Sequence, residues 1–299
     1  MRTMFSHLKT KLATTILILT LGLAACALPT GPSATPTPAP TATPEPPTAT
    51  PVPAEATVNG EVIPLAEFQA ELARYKSAQT ALGKTVTDAD AAKTVLDDMI
   101  DQFLLAQAAR AAGLEVTDAD LQSRVDALVK SLGGADQLAA WESAHGYDDA
   151  SFRVALKRAA EAALMRDKII ADVPSTVEQV HAAQILLYNA DTANSVLDQL
   201  KSGVKFDDLA ASYDPVTRGD LGWFPKGYLL EPAIETAAFA LQPGQYSDVI
   251  QTQVGYHIIY VIERGQHPLS PDALMVLQEQ AVRDWLSTQR TQAKIVLAP

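Results

Sequence analysis

The chain has 299 residues, 47% of them hydrophobic, and a formal net charge of −12 at pH 7. This acidic balance argues against a nucleic-acid partner and against adhesion to an anionic lipid surface. The single cysteine excludes an intramolecular disulfide, so the folded part must be held together by its core.

Residues 1–26 have the organisation of a secretion signal. A basic stretch precedes an apolar run over residues 12–25, which is shorter than the roughly 18 residues that indicate a membrane-spanning helix. The run ends in L-A-A-C, which resembles the bacterial lipobox. This resemblance implies that Cys26 is lipidated and anchors the protein to the bacterial cell membrane on its extracytoplasmic side. An ordinary signal peptide with a chance cysteine is the alternative.

Residues 27–56 are predicted to be a linker rich in proline and threonine. Residues 29–54 contain 10 of the 19 prolines of the chain. Prolines at this density remove backbone donors and fix φ, which disfavours both helix and sheet. We therefore expect an extended spacer that reaches at most about 80 Å.

Residues 57–173 are predicted to form a mostly helical domain. Asn59-Gly60 predicts a β-hairpin, with a helix beginning at the proline that follows it. The motif T-D-A-D occurs twice, and Thr87 and Thr117 each predict the cap of a helix with apolar residues at helical spacing. The predicted helices span, in chain order, residues 64–82, 87–112, 117–132, 135–144 and 149–171.

Residues 268–299 are predicted to contain a C-terminal helix that Ser270 caps and that carries Trp285 on its apolar face. In the helical half, V-N-G-E-V-I-P-L-A-E-F and V-L-D-D-M-I-D-Q-F-L-L resemble the N-terminal region of PrsA- and SurA-like foldases. This resemblance implies that the helical domain binds unfolded or partly folded exported proteins and that the C-terminal helix packs on it. The alternative is a peripheral helix packed on the domain that precedes it.

Residues 177–266 are predicted to form a second domain. Alternation of apolar and polar residues predicts its strands, and amphipathic spacing predicts its helices. The predicted elements are, in chain order, a strand from residue 180, helices at 194–202, 206–212 and 231–241, and strands at 247–252 and 256–263.

Three motifs occur in order in this domain: V-H-A-A-Q-I-L-L, R-G-D-L-G-W-F and G-Y-H-I-I-Y. They resemble those of the parvulin family of peptidyl-prolyl cis/trans isomerases. The resemblance implies an α+β fold, with a small antiparallel sheet here and a SurA-like helical domain before it. It also implies an enzyme that acts on X-Pro bonds and needs no cofactor and no metal. Resonance gives such a bond a rotation barrier of about 18–20 kcal/mol, which a site matched to the twisted amide would lower.

The parvulin resemblance also implies the site residues. The polar positions and the apolar pocket positions of the family fall on separate sets of residues in this sequence. The polar, catalytic set is His257, Asp214, Gln184 and Thr252, and the substrate-binding set is Leu229, Phe239 and Ala233.

Two positions depart from the family pattern. Relatives usually carry histidine where this chain has Gln184, and an aromatic residue where it has Ala233. His181 lies an odd number of residues from Gln184, so it faces the opposite side of the strand and is not expected to substitute. Asp214 has a second interpretation, because an aspartate before proline also caps loops through an Asx-turn.

Two functions from other classes stay open at this point. A non-catalytic or weakly catalytic holdase would keep the parvulin fold as a binding module, and a structural envelope protein would use the spacer for display. Turnover of a proline peptide separates the isomerase from the holdase, and suppression of aggregation separates both from the envelope protein.

Overall fold

The computed structural model describes residues 53–298. The predicted signal, Cys26 and most of the predicted linker lie outside this part of the chain. The described residues form an α+β structure, which confirms the predicted fold class. Its elements are β1 (Ala54–Val58), β2 (Glu61–Pro64), α1 (Leu65–Ala81), α2 (Asp88–Ala111), α3 (Asp118–Leu132), α4 (Ala135–Ala144), α5 (Asp149–Ala171), β3 (Thr176–Leu187), α6 (Ala190–Lys201), α7 (Phe206–Tyr213), β4 (Asp220–Pro225), α8 (Pro232–Ala240), β5 (Ile250–Gln251), β6 (Tyr256–Pro268), α9 (Pro271–Gln292) and β7 (Ile295–Leu297).

A small antiparallel sheet joins the two ends of the described chain in the order β2-β1-β7. The predicted hairpin is present, with Asn59 at φ 53° and Gly60 at φ 88°, the conformation that a two-residue hairpin turn needs. The third strand was not predicted, and it pairs Leu297 with Ala56, which is fully buried. The predicted linker boundary at residue 56 is wrong, because β1 already includes Ala54.

The helical half is built from capped amphipathic helices, as predicted. The hydroxyls of Thr87 and Thr117 accept the backbone N–H groups three residues ahead, at 3.1 and 3.2 Å. These caps satisfy donors that a helix otherwise leaves free. The core includes the buried ring of Phe103, over which the guanidinium of Arg158 stacks at 4.3 Å while it pairs with Glu67.

The C-terminal helix α9 returns to the helical half. Trp285 packs on a cluster that contains Leu105 of α2 and Ile169 of α5. Near the end of the helix, the Nε atom of Arg290 lies 2.5 Å from a carboxylate oxygen of Asp101. The prediction that this helix completes the helical domain is therefore confirmed, and the helix does not pack on the second domain alone.

The second sheet is antiparallel in the order β4-β3-β6-β5. One face of β3 carries Ile185 and Leu187, which pack under α6 and α7. The other face carries Val180 and Ala182, which pack under α8. Because side chains alternate along a strand, the two faces bury separate apolar clusters.

The elements of this second domain differ from the predicted ones in several places, and β3 and β6 are both longer than predicted. Strand β4 was missed. Helix α6 begins four residues earlier than predicted, because the side chain of Asn189 accepts the N–H groups of Asp191 and Thr192. Strand β5 has two residues where six were expected.

Over residues 53–298, no helix is both long enough and apolar enough to span a bilayer.

Candidate active site

Three polar side chains meet on the α8 face of the second sheet. Nδ1 of His257 lies 2.9 Å from Oε1 of Gln184, and Nε2 lies 2.9 Å from the hydroxyl of Thr252. Gln184 is opposite Ile259 in the strand pairing, two residues from His257, so the two side chains are diagonal neighbours on one face. The predicted association of these three residues is therefore present in the structure.

The hydrogen bonds of this trio run in one direction. Gln184 Oε1 can only accept, so Nδ1 of His257 donates and Nε2 accepts from the hydroxyl of Thr252. That hydroxyl in turn accepts the N–H of Val254 at 3.2 Å. The amide nitrogen of Gln184 has no acceptor within residues 53–298, and it remains available to donate to a ligand.

His257 is held in its neutral form. Its side chain is buried, with 2% of the residue exposed, and burial lowers its pKa below the ordinary value of 6.5. The nearby carboxylate of Glu231 opposes this shift without reversing it. At neutral pH the imidazole therefore acts as a fixed hydrogen-bonding group.

An apolar cluster lies on the same face of the sheet as the trio. Its buried members include Ile234 of α8 and Ile259 of β6, and the half-buried Leu221, Leu229 and Ile250 pack against it. Ile250 pairs directly with His257, which brings this apolar surface next to the polar trio. Leu229 thus lies where the sequence predicted it, in the apolar surroundings of the site.

Phe239 is half-buried and packs against the same apolar cluster as Leu229. Its ring packs edge-on against the buried Phe224 at 6.1 Å, and the guanidinium of Arg264 lies over it at 5.5 Å. That Phe239 contacts the proline ring of a substrate stays a prediction.

Ala233 is exposed on the first turn of α8, and its predicted place in the substrate pocket stays a prediction. The neighbouring Ile234 is buried and joins the apolar cluster. Successive residues on a helix are about 100° apart, so an offset of one position moves a side chain from the cluster to its flank. The first turn of α8 therefore contributes Ile234 to the apolar cluster.

The carboxylate of Asp214 stabilises a loop. Its carboxylate accepts the N–H groups of Val216 and Thr217 at 3.1 and 3.0 Å, and also the hydroxyl of Thr217. These bonds, with that of the Thr217 hydroxyl the strongest, lower the pKa of Asp214 to about 2. This is the Asx-turn arrangement, and within the described residues Asp214 makes no hydrogen bond to Gln184 or His257.

The loop that Asp214 stabilises does reach Gln184. The carbonyl of Gly219 accepts the backbone N–H of Gln184 at 2.8 Å, and a Cβ atom at Gly219 would lie 1.7 Å from the carbonyl oxygen of Gln184. Glycine is required by this contact and by a φ of 69°. Asp214, Gln184 and Tyr213 also line a cavity of about 240 Å³ beside the trio.

Glu235 is a site residue that the sequence did not reveal. Its carboxylate accepts the N–H groups of Gly227, Tyr228 and Leu229 at 2.8, 3.1 and 3.1 Å. It therefore joins α8 to the turn that carries Leu229. A glutamate in the first turn of a helix is common, so the sequence alone gave no reason to select it.

His181 does not join the trio, as predicted. Its Nε2 atom lies 2.8 Å from Asp220, and its ring is tilted by 34° against that of Trp223, with the ring centroids 5.5 Å apart. Within residues 53–298, no group of three or more His, Cys, Asp or Glu side chains is arranged to hold a metal ion.

Comparison with known families gives two matches. Residues 178–263 match the PPIC-type PPIase (rotamase) domain, and residues 49–134 match the SurA-like N-terminal domain. The first match contains the Gln184–His257–Thr252 trio and the apolar cluster around Ile234.

The curated relatives include proteins named foldase PrsA and chaperone SurA. The foldase protein PrsA of Bacillus subtilis is 36% identical over 124 residues, which cover 40% of this chain and 42% of that protein. The chaperone SurA of Thiobacillus denitrificans is 33% identical over 155 residues, which cover 44% of this chain and 35% of that protein. The matched part thus spans less than half the length of these curated relatives.

Among solved structures, the peptidylprolyl isomerase PrsA from Bacillus anthracis is 25% identical. The similarity covers 66% of this chain and 96% of that chain, with a TM-score of 0.39. The two family matches and the curated relatives confirm the resemblance on which the sequence prediction rested. The chain therefore carries a SurA-like N-terminal domain and, over residues 178–263, the PPIC-type peptidyl-prolyl isomerase domain of the parvulins.

Proposed function

We propose that this protein is an extracytoplasmic foldase that catalyses cis/trans isomerisation of X-Pro bonds and binds unfolded exported proteins. The observation that carries the proposal is the trio in the isomerase domain. His257 is held neutral between Gln184 and Thr252, beside an apolar surface that includes Leu229 and Ile234.

The reaction needs no nucleophile, because no covalent bond has to break. The barrier of about 18–20 kcal/mol comes from resonance between the nitrogen and the carbonyl, and it falls when the amide is twisted. The planar amide is the more charge-separated form, so apolar surroundings favour the twisted state. An acceleration of a thousandfold needs about 4 kcal/mol of such preference, since each tenfold step is about 1.36 kcal/mol.

The residues of the site fit this chemistry. Leu229 and Ile234 would contact the proline ring and exclude water from the bond. The free N–H of Gln184 would donate to the proline nitrogen, whose lone pair becomes available only when the amide twists. His257 and Thr252 would orient Gln184 without a proton transfer.

A binding protein without turnover is the second candidate, and one observation favours it. Gln184 stands where relatives carry a histidine, so the site has a single imidazole in place of a pair. If the paired histidines are essential, the domain would bind proline segments and leave the rotation rate unchanged. The helical domain would then act as a holdase for exported proteins.

The membrane anchor is proposed from the sequence alone. The basic stretch, the apolar run and L-A-A-C support lipidation of Cys26, and the proline-rich segment supports a spacer between lipid and folded domains. The relatives named PrsA and SurA are called a foldase and a chaperone, which agrees with binding of unfolded exported chains.

The proposal is tested by refolding a protein whose slow phase is limited by an X-Pro bond. If the protein is an isomerase, the rate of the slow refolding phase should increase in proportion to the concentration of the protein. A Thr252→Val, Ile234→Ala double variant serves as control and should lose that acceleration. Suppression of aggregation without acceleration of the slow phase would establish the holdase instead. If the protein neither accelerates the slow phase nor suppresses aggregation, a foldase is excluded.

A further inference from the structure

The turn between β4 and α8 is held by a single carboxylate. Oε1 of Glu235 accepts the N–H of Gly227, and Oε2 accepts those of Tyr228 and Leu229. Three consecutive backbone donors thus converge on one side chain, as in the concave arrangements that bind anions. Hydrogen bonds to a carboxylate are stronger than those between neutral groups, so the turn and the helix are fixed to each other.

The turn and helix α8, which the carboxylate of Glu235 joins, each carry an apolar side chain of the site. The turn carries Leu229, and α8 carries Ile234 one residue before Glu235. The other flank of Ile234 is occupied by Ala233, which is exposed and contributes no contact of this kind. The separation of the two apolar side chains therefore depends on the bonds that Glu235 makes.

The backbone conformation and the surroundings of the turn both restrict its position. Gly227 has a φ of 85°, and a Cβ atom at this position would lie 2.2 Å from the side-chain oxygen of Gln280. Helix α9 therefore lies against the outer side of the turn, while Glu235 holds it from the inner side. Without the carboxylate, three N–H groups would have to find other acceptors, and the turn would shift.

We infer that Glu235 is a positioning residue for the proline-binding wall: its carboxylate fixes the turn of Gly227–Leu229 against α8 and thereby sets the distance between Leu229 and Ile234. This inference rests on the proposed isomerase function. Glu235 need not touch the substrate, because it acts through Leu229. A purely local role is the competing explanation, since a glutamate in the first turn also stabilises a helix.

The test compares Glu235→Ala and Glu235→Gln with Thr236→Ala, which removes an exposed side chain one position along the same helix. The full folded protein, residues 53–299, is used for each variant. Three quantities are measured: kcat/KM on a proline tetrapeptide, the Kd of the same peptide from amide shift changes, and the amide shifts of residues 227–229 without peptide.

We expect Glu235→Ala to lower kcat/KM at least tenfold and to weaken peptide binding, while Thr236→Ala changes both less than twofold. Glu235→Gln keeps one acceptor oxygen but turns an N–H₂ group toward backbone donors, so kcat/KM should fall at least threefold. The amide shifts of residues 227–229 should change in both Glu235 variants, and those of Ile258 and Ile259 should not.

Two results would overturn the inference. One is a Glu235 variant whose turn amides shift while kcat/KM and Kd match those of Thr236→Ala, because the turn would then not control the wall. The other is an unchanged set of turn amides. If the native protein binds the peptide but shows no turnover, the isomerase proposal fails, and the Kd comparison alone decides the role of Glu235. If Glu235→Ala does not fold, Glu235→Gln carries the same comparison.

Discussion

Replacing Thr252 with valine would remove one hydroxyl from the centre of the site and change little else. Valine is β-branched like threonine and of similar size, so no cavity opens. The hydroxyl donates to Nε2 of His257 at 2.9 Å and accepts the N–H of Val254 at 3.2 Å. The substitution therefore isolates the hydrogen bonds of the trio.

The magnitude follows from the burial of the two partners. His257 is 2% exposed, so its Nε2 atom would be left without a partner, which costs about 1–3 kcal/mol. Val254 is 62% exposed, and water can take over the bond to its N–H group. We therefore expect the sheet to lose about 1–3 kcal/mol of stability, nearly all of it through His257.

Hydrogen exchange of the β6 amides is the appropriate measurement, because it reports the opening of this sheet separately from the helical half. Exchange through opening should become about 5-fold to 150-fold faster in Thr252→Val. Thr288→Val is the matched control, since its hydroxyl donates to the carbonyl of Asp284 on an exposed helix face. The control should stay within about 0.5 kcal/mol of the native protein. Equal exchange in the two variants would refute the hydrogen-bond assignment of His257.

Four further predictions follow from the same geometry. Burial lowers the pKa of His257, so as the pH falls the unfolded chain binds a proton near pH 6.5 before the folded chain does. The free energy of unfolding should therefore fall as the pH drops through this range. Urea titrations at pH 7.5 and pH 5 should show that the His257→Gln variant lacks the part of this loss that is due to His257. Native kcat/KM should be nearly constant from pH 7 to 9, whereas Gln184→His adds an imidazole and should introduce a step between about pH 5 and 8. Ile234→Ala should lower kcat/KM about tenfold, and Phe239→Ala should also lower it, as measured on one proline peptide. Cys26→Ser should abolish metabolic labelling with a fatty acid, and equal label on both proteins would contradict a lipid anchor.

Local signals in the sequence were sufficient for much of the fold. The Asn59-Gly60 turn, the Thr87 and Thr117 caps and the Ser270 cap each act through bonds within a few residues, so their patterns can be read without tertiary structure. Strand β4 could not be read in this way. Its sequence D-L-G-W-F-P contains a glycine and a proline and lacks strict alternation, and only pairing with β3 makes it a strand.

The polar residues of the site were predicted from the resemblance to the parvulins, and strand periodicity agrees with their positions. Gln184 and His257 lie on strands, where parity fixes the face, and the structure brings them together. Ala233 and Phe239 lie on α8, where an offset of one residue rotates a side chain by about 100° and four residues span a full turn. The apolar cluster beside the trio consequently includes the buried Ile234, which the sequence did not single out. Glu235 was not predicted, because its hydrogen-bond partners are backbone N–H groups, which a pattern of side chains in the sequence does not reveal.

The turnover of X-Pro bonds is the claim on which the account depends. The most direct measurement is a cis/trans isomerisation assay of residues 53–299 on tetrapeptides that vary the residue before proline. The account predicts a rate that rises linearly with protein concentration on at least one peptide and that falls about tenfold in Ile234→Ala. A rate equal to the uncatalysed background on every peptide, with suppression of aggregation intact, would contradict it and identify the protein as a holdase.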